Sequence, residues 1–151
     1  MLKLVGAVGS VLVLALLLAP AAEACTCAPP TTIADALRTA DAVFFGYPVV
    51  ARLERRPSRN TDGAVQTQFQ VLKAWKGIEA PLVWVGTSLD MRACGYGSFE
   101  IGANYLVFAH GSLDGLSVSL CGRTRPEPDT VFDVEALGRP QRTFSTSSGE
   151  R

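Results

Sequence analysis

The chain lacks most of what enzymatic chemistry is built from. It has one histidine in 151 residues, His110 in the stretch FAHGSLDG. A histidine working as base or metal ligand needs partners, and none stands near it, so His110 reads as a turn residue. Acidic residues stand singly across turns, and no carboxylate pair suited to general acid–base work emerges. Ser98 and Ser112 lack the strand–turn–helix setting of a nucleophile elbow. The glycine-rich piece CGYGSFEIG, 94–102, opens no helix and carries no Walker lysine, which argues against a phosphate cradle. Trp75 and Trp84 read as core edge and turn rather than as a stacking platform. No enzymatic activity and no cofactor of its own are expected.

Net charge is missing as well: 14 basic residues balance 14 acidic ones. Phosphate binding is driven by clustered positive charge, so nucleic acid is not an expected partner. No internal repeat is visible, and strands do not alternate with helices in a βαβ pattern.

What the chain does have begins with a leader. Lys3 supplies a positive start, and residues 4–22 are uncharged and dominated by Leu, Val and Ala. Ala22-Glu23-Ala24 places small residues at the two positions that a signal peptidase reads, so 1–24 is expected to be a signal peptide cut before Cys25. Three other readings compete. The apolar run is about long enough for an uncleaved anchor. A cysteine directly after the seam suits a lipoprotein signal, although Ala22 and Glu23 depart from the usual residues there. A buried core helix fits least, because Pro20 and the polar turn after it suit a processed end. Membrane contact is thus expected only through the leader or through lipidation of Cys25. The destination is extracellular, or the periplasm or cell envelope in a bacterium.

Removing 1–24 leaves 127 residues, with 13 basic and 13 acidic, enough for one domain. A monomer is expected. All four cysteines (Cys25, Cys27, Cys94 and Cys121) lie in this exported part, which reads as a disulfide framework. Four cysteines allow three pairings. Residues two apart in an extended chain have Cα atoms about 6.5–7 Å apart, so Cys25–Cys27 with Cys94–Cys121 is the poorest of them. Either remaining pairing ties the new N-terminus twice to the distal half, closing loops of roughly 70–100 residues worth about 4 kcal/mol each in the chain-entropy model. The Cys-x-Cys could instead hold a soft metal, but that needs reduced thiols in an oxidising compartment and leaves Cys94 and Cys121 unexplained.

Along the domain, 31–39 reads as a helix with Thr32 and Asp35 at capping-box spacing. Five strands follow: 42–54, where Gly46 and Pro48 imply a bulge or bend, then 64–75, 81–86, 104–109 and 116–121. The polar 55–63 reads as an exposed hairpin loop, and Asp114-Gly115 as a hairpin turn. A second helix is expected over 130–137, opened by Thr130 and closed by Gly138. Residues 139–151 are polar, with only Phe144 able to anchor them, and read as a disordered tail. The expectation is a mostly β fold over 25–138, a five-stranded OB-type Greek-key barrel with one or two short flanking helices, a small sandwich being the runner-up.

At this point the residues resemble a known family. CTCAPP at the new N-terminus, KAWKG (73–77), ACGY (93–96) and YLVFAHGSLDGLSVSLC (105–121) are similar to the N-terminal domain of the tissue inhibitors of metalloproteinases, in the netrin-like group. The resemblance covers about 25–129. It implies an OB-type barrel and the bridges Cys25–Cys94 and Cys27–Cys121. It also implies inhibition of a zinc metalloprotease, whose catalytic zinc would be chelated by the α-amine and carbonyl oxygen of Cys25. A catalytic zinc keeps one position open for water, and an α-amine with a pKa near about 8 gives up its proton at little cost at neutral pH. The Cys25 sulfur, locked in its bridge, then holds the chelating atoms still and lowers the ordering cost of binding.

By the same resemblance, Thr26 enters the protease pocket beside the zinc, Cys27, Ala28 and Pro29 continue the ridge with Pro30, and Met91, Arg92 and Ala93 form a second contact segment. Two features depart from the family. Leu37 and Arg38 stand where a third disulfide would begin, and nothing in the 151 residues matches the cysteine-rich C-terminal domain. Netrin-like domains also serve as plain binding modules that inhibit no protease.

Overall fold

A computed structural model describes residues 25–27, 32–54 and 63–145. The expected signal peptide 1–24, Ala28, Pro29 and most of the expected loop at 55–63 lie outside them.

Helix α1, Ile33–Thr39, starts where the capping residues place it. The Thr32 hydroxyl accepts from the Asp35 N–H at 3.1 Å and donates to the Asp35 carboxylate at 2.7 Å, which satisfies a main-chain donor that the helix cannot pair internally. Two long strands follow, β1 (Ala42–Glu54) and β2 (Ala64–Lys76), paired antiparallel. Their register slips between Phe45 and Gly46 and between Pro48 and Val50, at the two residues expected to bend the strand. Gly46 is required there: a Cβ would overlap the Gln70 carbonyl oxygen and sit 3.0 Å from the Val71 Cα.

Strand β3 (Leu82–Ser88) pairs antiparallel with β2, and β4 (Tyr105–Ala109) pairs antiparallel with β1. Strand β5 is only Leu116–Ser117, parallel to β3. His110 and Ser117 exchange two main-chain hydrogen bonds of 2.9 and 2.8 Å, so β4 reaches β5 across the turn at Asp114-Gly115. The result is a mostly β molecule, a curled half-barrel sheet with two short helices.

Among the described residues seven strands make the sheet rather than the expected five. Arg125–Pro126 (β6) pairs with β4, and Arg142–Thr143 (β7) pairs with β2. The second of these corrects part of the expected disordered tail. Gln141 donates to the Ala74 carbonyl at 2.8 Å, Phe144 donates to that of Leu72 at 2.9 Å, and the Phe144 ring packs against the core. One aromatic anchor and a free flank of β2 suffice to order 141–144. Residues 146–151 lie outside the described residues.

Apolar side chains divide between two sides of β1 and β4. Phe44, Phe69, Val71, Val85 and Val107 fill the inside of the curl, where Phe69 meets Phe99 edge-on with ring centroids 4.8 Å apart. Val43, Leu106, Phe108 and Trp75 face the other way, under α1 and helix α2 (Val131–Leu137). Burial on both faces explains why β4 reads as an unbroken apolar run instead of alternating. The Trp75 indole N–H donates to the Gly138 carbonyl at 2.9 Å, closing α2 over this second core.

Candidate functional site

The tripeptide 25–27 is held at both ends. Cys25 is bonded to Cys94 and Cys27 to Cys121, with Cα separations of 5.2 and 5.1 Å, well inside the span a disulfide bridges. It is the pairing that the family resemblance implies. Between them Thr26 is exposed, while Cys25 is half-buried.

The receiving segments are themselves built by local hydrogen bonding. After β3 the chain makes a 3-10 turn, Met91–Ala93, whose first residues are capped by Asp90: its carboxylate accepts from the Arg92 N–H at 2.9 Å. The turn delivers Cys94 in the left-handed conformation, φ 59° and ψ 23°, uncommon for a residue with a Cβ. What keeps it there is the next layer of contacts. Gly95 donates to the Asp90 carbonyl at 2.9 Å, and the Cys94 carbonyl accepts from Leu120 at 2.9 Å. Gly95 also bridges to Ser119. Segments 94–95 and 119–121 are therefore laced together before either disulfide is counted.

This lacing shortens the expected strand 116–121. After Ser117 the chain leaves the regular ladder and spends its main-chain groups on Gly86 and Cys94. Just beyond Cys94, Tyr96 secures the segment to the barrel. Its N–H donates to the Thr87 hydroxyl at 2.9 Å, and its ring stacks on Phe99 at 4.8 Å. Burial pushes the Tyr96 hydroxyl up to about 12, with Tyr105 adding to the rise and Arg125 opposing it.

Of the residues singled out from sequence, the structure brings Cys25, Cys27, Cys94 and Cys121 to one place and puts the exposed Met91 and Arg92 on the turn that leads into Cys94. Ala93 completes that turn. Ala28 and Pro29 lie outside the described residues. His110 stands at the β4–β5 turn and is used through its main chain. Among the described residues no cysteine is free: the sulfurs of Cys25, Cys94 and Cys121, clustered within 4.8 Å of one another, are engaged in the two bridges.

Comparison with protein-family models and with curated proteins finds no match.

Sequence reasoning missed Asp90 and the lacing of Leu120 to Cys94. Asp90 carries a usable signal, since an aspartate opening a short turn that ends in Cys-Gly is a cap with its stop. The Leu120 contact has none, because it is made by main-chain atoms.

Proposed function

We propose that the chain is a secreted inhibitor of zinc metalloendopeptidases that acts through a Cys25 amine freed by cleavage after Ala24. The observation that carries this reading is the fastening of 25–27. Two covalent bonds pin an otherwise frayed terminus, so the nitrogen and carbonyl oxygen of Cys25 are pre-positioned and little ordering entropy remains to be lost on binding. One residue's N, Cα, C and O close a five-membered ring with a metal. The open position of a catalytic zinc accepts such a chelate in place of water. The zinc belongs to the target, and the inhibitor needs none of its own.

In this reading the exposed Thr26 side chain fills the pocket next to the zinc. Met91, Arg92 and Ala93 form a second contact strip, carried next to Cys25 by the Cys25–Cys94 bridge. Cys27, Ala28 and Pro29 extend the ridge. The scaffold is read as an OB-type Greek-key barrel of the netrin-like kind. The β1–β2–β3 meander, the parallel β3–β5 pair, the β4–β1 pair and the His110–Ser117 link support that topology.

The test is to make the protein with its N-terminus at Cys25 and assay it against a panel of zinc metalloendopeptidases. Adding one alanine before Cys25, or acetylating the amine, abolishes inhibition and leaves the denaturation midpoint unchanged. Thr26→Gly weakens inhibition by emptying the pocket. Potency that survives both blocked forms sinks the chelation mechanism.

A further inference from the structure

A cleft crosses the outer face of the sheet and shares no residue with the cysteine ridge. It has two lobes that meet at Trp84 and Leu113. The larger, about 550 Å³, carries Arg52, Glu54, Gln66 and Asp114. The smaller, about 200 Å³, is mostly apolar and runs beside Ile78 and Leu82. Pairing register explains the layout: Arg52, Gln66 and Gly86 form one row across β1, β2 and β3, with Trp84 in the next row.

Two independent features say what the cleft takes. The first is an open strand edge. Strand β5 covers only Val85 and Gly86 of β3, so Leu82, Val83 and Trp84 meet no partner on that side among the described residues. The Gly86 carbonyl accepts from Val118 at 3.0 Å, while that of Pro81 accepts from Val71 at 2.8 Å on the other side. Alternation along the strand therefore turns the N–H and C=O of Leu82 toward the open edge. An edge of this kind is satisfied by another extended chain.

The second feature is charge. The Arg52 guanidinium lies over the Trp84 ring, 4.9 Å from its centroid, and Glu79 is paired with Arg142 at 3.6 Å. Glu54 and Asp114 have no ion-pair or hydrogen-bond partner among the described residues. The cleft thus carries two carboxylates, Glu54 and Asp114, against one cation, Arg52, next to exposed leucines, Leu82 at 47% and Leu113 at 57% exposure. Anionic ligands, nucleic acid included, are disfavoured by that balance.

We propose that this cleft binds an extended peptide segment of a partner protein, which adds as a strand to the free edge of β3. An apolar side chain of the segment seats between Leu82 and Leu113, and a basic side chain two residues along points to Asp114. Main-chain hydrogen bonds supply affinity, and the two side chains supply selectivity. This function is separate from protease inhibition and does not depend on it.

The test uses end-blocked seven-residue peptides with Leu and Lys two positions apart in a Ser/Thr background, titrated into the isotope-labelled, disulfide-intact protein by NMR. Saturable shifts are expected at Leu82, at the Trp84 indole and at Asp114. The peptide with Glu for Lys, or with an N-methyl group on the residue between, binds at least about tenfold more weakly. Asp114→Lys, an exposed substitution, reverses the Lys-over-Glu ranking. The proposal is overturned by an absence of saturable binding, by shifts on another surface, or by a ranking that Asp114→Lys does not move. Tighter binding of a neutral oligosaccharide or of single-stranded nucleic acid overturns it too.

Discussion

The sulfur of Cys25 lies 3.8 Å from that of Cys121, although each belongs to a different bridge. The hydrogen bond from Leu120 to the Cys94 carbonyl holds the two bridges this close. They therefore work as one fastening, and removing either loosens the other.

Replacing Cys27 and Cys121 together by serine opens a loop whose ends are 94 residues apart. The chain-entropy model puts the loss at about 4 kcal/mol. Urea denaturation without reductant measures it. Removing both bridges is expected to cost more than the sum of the two single removals, because while either bridge remains it already holds the ends of the other's overlapping loop close together. Full additivity would show that the bridges are independent.

Gly95 sits where the two receiving segments touch. A Cβ there would overlap the Ser88 carbonyl oxygen and lie 2.7 Å from that of Asp90, and both are main-chain atoms that cannot step aside cheaply. Gly95→Ala should destabilise by about 1–3 kcal/mol. It should also speed hydrogen exchange at the Leu120 amide, whose acceptor is displaced. An unchanged Leu120 rate would mean that the lacing does not depend on this close approach.

Asp133 is buried at 8% exposure and receives two hydrogen bonds from Arg123, at 2.9 and 2.7 Å. Arg123→Ala leaves that carboxylate with only Arg125, 3.8 Å away. Uncompensated buried charge is expensive, and a loss of about 3 kcal/mol is expected in the denaturation midpoint. The solvated pair Arg38–Asp35 is the contrast: Arg38→Ala should leave stability unchanged.

Tyr96 makes the fold sensitive to alkali. Its hydroxyl is raised from the ordinary 10.0 to about 12 in the folded protein, chiefly by burial. Below pH 10 both folded and unfolded forms keep the proton. As pH climbs from 10 toward 12 the unfolded chain releases it first, so stability falls across that window. Tyr96→Phe should flatten this part of the stability–pH curve. An equally steep decline in the variant would assign the effect to other groups.

The long elements were legible in the sequence because their signals are redundant. Strands β1 and β2 run over 42–54 and 64–76, bounded by turns and carrying clear alternation in β2. Gly46 and Pro48 announced the bend. Two-residue strands gave no such warning, since β6 and β7 have no periodicity and exist because neighbouring strands left hydrogen-bonding groups to satisfy. The second helix formed at 131–137, but its expected cap did not: Thr130 makes no capping hydrogen bond, and Asp133 turns to Arg123. At the site, the four cysteines were readable from residue types, whereas 91–93 was singled out only by the family resemblance and not as a turn. The position of Trp84 on an outer cleft was not, because a single tryptophan in an apolar strand suits either face until the pairing partners are known.

Both bridges start from one tripeptide and end on chain positions far from it and from each other. Mechanically the tripeptide is a rivet through two plates, the turn after β3 and the segment after β5. A pull on the tripeptide cannot peel these plates one at a time. The load enters both through covalent bonds, and the main-chain hydrogen bonds between them tie one plate to the other. A tripeptide fastened in this way yields only when the sheet behind it does.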